Sequence, residues 1–113
     1  MHEVGLMREA VAIALDRAAA EGAARVHAIG LRVGALSGAV PEALALAFEV
    51  VTAGTPAARA RLAIEASPIV CRCAACARDF TPAGMVFACP GCGAPSDDVR
   101  GGRELEVAYV EVS

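Results

Sequence analysis

Apolar residues near the start of the chain recur at intervals of three and four. Val4, Met7, Val11, Ala14 and Ala18 fall on one side of a helix running from about residue 4 to residue 20, which Gly22 terminates. The period then changes to two. From Val26 to Val33, Ile29, Leu31 and Val33 alternate with Ala28, Gly30 and Arg32, the pattern of a strand with one buried face. Gly34 and Gly38 mark a turn, and Pro41-Glu42 suits the first turn of a second helix. That helix carries Leu44, Phe48 and Val51 on one face and ends by Gly54. In a second strand, Leu62, Ile64 and Ala66 alternate with Arg61, Ala63 and Glu65 until Pro68 stops it. After Gly101-Gly102, the run from Glu104 to Val112 predicts a long third strand.

Helix, strand, helix, strand leaves a two-stranded sheet, which is marginal alone, so the strand after Gly102 is expected to rejoin it. The predicted fold is α+β: a small three-stranded sheet with two helices on one face. Residues 68–102 then form an insertion, and residues 1–67 and 103–113 form the domain that carries it. Short strands for the insertion are expected from Thr81–Phe87 and from the residues before Cys73.

The insertion holds Cys73-x-x-Cys76 and Cys89-x-x-Cys92. Each pair can turn two sulfurs toward one ion, and two facing turns complete a tetrahedral four-thiolate shell of the kind that holds zinc. Pro90 and Gly93 suit the second turn, whereas Ala77 stands where a glycine would be easier. A shell closed by four thiolates leaves no position for water or substrate, so the expected role of the zinc is structural. Cys71 is too near Cys73 to make the same turn with it. It is read as a buried, inert cysteine or as a spare thiol able to exchange into the site.

Composition explains why such a staple is useful. Hydrophobic residues make up 57% of the 113, but there is no tryptophan, one tyrosine and three phenylalanines, so the core must be aliphatic and thin. A segment of about thirty residues rarely buries enough surface to fold unaided. The formal net charge of −3 supplies no general attraction for phosphate backbones, and nucleic acid is not an expected partner. No apolar run approaches the ~20 residues needed to cross a bilayer, and Glu3 interrupts any leader-like start. These features predict a cytoplasmic protein with no membrane association, where thiols bind metal rather than pair.

The start, Met1-His2-Glu3, carries a second chemistry. A bulky second residue hinders removal of Met1, leaving an α-amine beside the His2 imidazole. With the His2 amide nitrogen these two close adjoining five- and six-membered chelate rings. Glu3 can fill a fourth position through its backbone nitrogen or its carboxylate. A nitrogen-rich tetragonal shell of this kind suits Ni(II) or Cu(II). Since its ligands must lose protons, affinity should fall in acid. His27, the only other histidine, is read as a surface or packing residue.

The chain resembles the HypA/HybF family of hydrogenase maturation proteins nearly end to end. The resemblance rests on Met1-His2-Glu3, Val33-Gly34-Ala35-Leu36-Ser37-Gly38, Pro41-Glu42, Phe48, Thr52 with Gly54-Thr55, both cysteine pairs, and Gly102-x-Glu104-Leu105. It implies nickel at the Met1 amine, His2 and Glu3, and zinc at Cys73, Cys76, Cys89 and Cys92. It further implies a nickel metallochaperone rather than an enzyme. Its partners would be a HypB-type GTPase and the [NiFe] hydrogenase large-subunit precursor, sometimes extending to urease maturation, with a homodimer as a further assembly. The alternative is a zinc-ribbon module binding protein or nucleic acid. Arg72, Arg78 and Arg100, offset by Asp79, Asp97 and Asp98, give that alternative little support. The departures from the family pattern, Gly5 and Arg59-Ala60-Arg61, touch no ligand.

Overall fold

The computed structural model describes residues 2–113. Its elements are α1 (His2–Ala20), β1 (Val26–Gly34), α2 (Pro41–Thr52), β2 (Arg61–Ser67), β3 (Val70–Cys73), β4 (Arg78–Phe80), β5 (Val99–Gly101) and β6 (Leu105–Val112). They form two three-stranded sheets, ordered β2-β1-β6 and β4-β3-β5. The chain divides into two compact units. The first comprises residues up to Arg32, Gly38–Glu65 and Leu105–Ser113; the second comprises Val33–Ser37 and Ala66–Glu104.

In the first unit the helical stripes are largely buried, although Val4 and Val51 are only half-buried, as are Leu62 and Ile64 of β2. Met7, Ala10, Val11, Ala14 and Ala18 of α1, with Leu44, Ala47 and Phe48 of α2, are buried together with Ile29 and Leu31 of β1. Met7, Ile29 and Leu44 are fully enclosed, and burying such a side chain contributes about 1.5–3 kcal/mol. Helix α1 packs on both α2 and β6. Strand direction follows from the bonds at the two ends of β1. Val26 N donates to Pro56 O and Ala35 N to Ser67 O, so β1 and β2 run the same way and α2 is their crossover. Arg25 and Ser113 exchange backbone bonds, and Gly34 N donates to Glu104 O, which sets β6 antiparallel to β1.

Strand β1 departs from simple alternation, because Ala28 and Gly30 are buried as well as Ile29 and Leu31. It is the central strand, and a Cβ on Gly30 would overlap the Tyr109 ring, so an aromatic from β6 roofs the face away from the helices. In β6 the alternation loses phase at Ala108-Tyr109, both exposed, which brings the tyrosine to that side. The rest of this face is charged. Arg32 bridges Glu65 at 3.2 Å and Glu106 at 2.8 Å, and Arg61 meets Glu111 at 3.2 Å. Exposed pairs of this kind add little stability but keep the open face wet.

The second unit is tied at its root by one carboxylate. Glu104 accepts hydrogen bonds from Ser67 Oγ and from Gly102 N, and these donors hold its carboxyl below the usual range. Leu36 N donates to Gly102 O at 2.6 Å, so the incoming and outgoing chain are cross-linked through backbone as well. Gly102 has φ 110°, and a Cβ there would lie 2.9 Å from Ile69 Cα, so only glycine fits. Strand β3 lies between its neighbours, with Cys71 opposite Phe80, Arg72 opposite Asp79 and Cys73 opposite Arg78. The expectation of a strand before Cys73 holds, but that of a strand at Thr81–Phe87 does not: β4 is Arg78–Phe80 and Thr81–Phe87 is irregular. Pro82 lacks a donor, Gly84 stiffens nothing, and Met85 and Val86 lie 78% and 80% exposed.

Candidate metal centres

The four cysteines of the two pairs come together. Their sulfurs all lie within 4.8 Å of one another, with Cys73 Sγ 3.6 Å from Cys92 Sγ and Cys89 Sγ 3.9 Å from Cys76 Sγ. A tetrahedral ion with metal–sulfur bonds of about 2.3 Å needs sulfurs about 3.8 Å apart, so the shell fits zinc. Local backbone makes each turn. Cys76 N donates to Cys73 Sγ and Gly91 N to Cys89 Sγ, each at 3.4 Å, leaving the sulfurs aimed at a common centre. Gly93 leaves the second turn at φ 75°, and Ala77 leaves the first at φ 54°. Ala77 is the only non-glycine at positive φ among the described residues, which is the cost foreseen for alanine there. Ala77→Gly is therefore expected to raise the stability of this unit by roughly 1 kcal/mol, read as an upward shift of its denaturation midpoint.

The thiols hydrogen-bond to one another across the cluster. Hydrogen bonding with Cys92, Cys89 and Cys73 pushes the Cys76 thiol up to about 12. Burial opposes ionisation of Cys89, but the amides of Gly91 and Cys92 outweigh it and bring that thiol down to about 6. Cys71 lies outside the shell. It is wholly buried, packed with Cys73, Cys89 and Phe80 and flanked by Ile69, Phe87 and Val99. Of the two roles open to it from the sequence, the structure gives it the core one.

The second candidate lies at the start of α1, where the described residues are His2 and Glu3; Met1 lies outside them. His2 is exposed, and its Nδ1 is 3.5 Å from Glu3 Oε1. Glu3 is 8% exposed, and its Oε2 accepts from Val40 N at 3.4 Å, just before α2. Its own amide first and then that of Val40 hold the Glu3 carboxyl below its ordinary range, against the opposing effect of burial. The burial of Glu3 was not foreseen. Its signal was present, because Glu3 precedes Met7 by one helical turn and so continues the apolar stripe. Being at a helix start, the first amides of α1 have no intrahelical acceptor, which leaves them open to other partners.

A helix-covered sheet joined in sequence to a four-thiolate unit defines a small metal-handling protein. Comparison with known proteins narrows this. The profile described as HypA, hydrogenase/urease nickel incorporation metallochaperone, matches residues 1–112. Hydrogenase maturation factor HypA of a Picosynechococcus species is 46% identical over 112 residues, covering 99% of both chains. The protein of that name from Geobacter sulfurreducens is 43% identical with the same coverage. Among solved structures, a solution structure of HypA protein aligns with TM-score 0.76 at 20% identity, covering 100% of this chain and 97% of its own. That of the Ni metallochaperone HypA from Helicobacter pylori aligns with TM-score 0.66 at 18% identity, covering 97% and 96%. The chain belongs to the HypA family of nickel-incorporation metallochaperones.

Proposed function

We propose that this protein binds Ni(II) at its amino terminus and delivers it to the [NiFe] hydrogenase large-subunit precursor, with a HypB-type GTPase as partner. Urease maturation is a second destination within the same family chemistry. The observation that carries the proposal is the position of His2 and Glu3 in the first turn of α1, in a chain matched end to end by the family profile. There the His2 amide has no helical acceptor to give up, and the imidazole is exposed. The Met1 amine, the His2 amide and His2 Nδ1 supply three nitrogens. Glu3 offers its backbone nitrogen or its carboxylate as the fourth ligand, and the carboxylate would have to give up its bond from Val40 N to serve. Ligands grouped at a chain end can be displaced one at a time, which suits transfer rather than turnover.

Zinc is proposed at Cys73, Cys76, Cys89 and Cys92 in a structural role: a closed shell of four thiolates holds the ion without an open position. Cytoplasmic location follows from this work on precursors, and no helix among the described residues is long and apolar enough to cross a membrane. The function is tested by mixing nickel-loaded protein with nickel-free large-subunit precursor and the GTPase, then separating them and measuring metal in each. Nickel should move to the precursor; nickel that remains on the carrier, or is found only in solution, removes the delivery role.

A further inference from the structure

We propose that Arg78 is a positioning residue for the four-thiolate site, its guanidinium lying over the second cysteine turn as the counter-charge that keeps the zinc shell closed. This rests on the zinc assignment above. A Cβ on Gly91 would overlap Arg78 Nη2 and would lie 3.3 Å from Arg78 Cζ and 3.6 Å from Cys76 Sγ. The guanidinium and the Cys76 sulfur thus flank the same small space, and Gly91 leaves it open to the cation. The backbone brings Arg78 there: the Ala77 turn at φ 54° reverses the chain after Cys76, and pairing in β4 sets Arg78 opposite Cys73.

Several charges near it have other commitments. Arg72 pairs with Asp79, Arg100 with Asp98, and Glu104 is held by Ser67 and Gly102 N. No carboxylate pairs with Arg78 among the described residues. Zinc with four thiolates carries a net charge of −2, and sulfur accepts hydrogen bonds more readily when that charge is uncompensated. An arginine at this place withdraws charge from the sulfurs and slows attack on the shell by a competing ligand.

The test is zinc transfer from the full chain to a colorimetric chelator at low salt, with zinc content and circular dichroism recorded first for every variant. Arg78→Gln is expected to speed transfer roughly fivefold, while Arg78→Lys keeps most of the protection. Gly91→Ala should speed it similarly, since its methyl takes the place of the guanidinium and Gly91 is not in the left-handed region. The double variant should be no faster than either single one. Raising the salt should bring the wild type toward the Arg78→Gln rate. An unchanged rate in Arg78→Gln, or additive effects in the double variant, overturns the role of Arg78. Wild-type protein isolated without zinc overturns the zinc assignment instead, so the two failures are distinct.

Discussion

Cys89→Ser is expected to abolish stoichiometric zinc and to unfold the second unit while the first stays folded. The buried core of that unit is Cys71, Cys73, Phe80 and Cys89, and Cys76 packs against it, so three of these five residues also belong to the four-cysteine cluster proposed to hold zinc. Without the ion there is too little apolar surface to hold three short strands. Structural zinc contributes about 10–16 kcal/mol in small domains, which exceeds what such a core supplies. The first unit has its own enclosed core in Met7, Ile29 and Leu44. Unfolding of residues 66–104 would leave a long loop before β6, and the entropy of closing a loop rises only slowly with its length. Metal analysis with nuclear magnetic resonance of the two sets of core methyls and rings would report this. A variant that retains one zinc per chain and native Phe80 resonances would show that Cys89 is not a ligand. Cys71→Ser serves as the control: it should disturb the core through a buried hydroxyl yet keep the ion.

His2→Ala is expected to lower nickel affinity by at least about 100-fold while leaving α1, the fold and zinc unchanged. The substitution removes the imidazole and with it the six-membered chelate ring. It costs the helix nothing, since alanine is the best helix former and His2 is exposed. Calorimetric titration of Ni(II) into an untagged protein and into a copy lengthened by one residue gives the second arm, because extension removes the α-amine from its ring. Nickel affinity unaltered in both would place the cargo site elsewhere. Glu3 is predicted to behave differently. Its carboxylate ties the first turn of α1 to Val40 N, so a change there should loosen that turn as well as alter nickel binding.

The helices and three long strands were legible because each is an amphipathic element whose period can be counted, as in Met7, Val11, Ala14 and Ala18 or in Ile29, Leu31 and Val33. The thiolate shell was legible for a different reason: a turn of two intervening residues is short enough that spacing dictates geometry. Thr81–Phe87 carries apolar residues but no named strand pairs with it, so it forms no strand despite its composition. The structure uses Arg78–Phe80 instead, because that segment faces β3 directly across the first cysteine turn. Glu3 shows the complementary case. Its helical phase pointed inward, but a carboxylate in a buried position is interpretable only once its partner, the amide of Val40, is known.

By itself, then, the chain determined its periodic elements and the turns of its two cysteine pairs, because these depend on neighbours a few residues away. Tertiary structure alone decided the central place of β1, the covering of Gly30 by Tyr109, the burial of Cys71, and the meeting of Arg78 with Gly91. Those facts depend on which distant segments share a sheet or a turn, and no local period encodes that pairing.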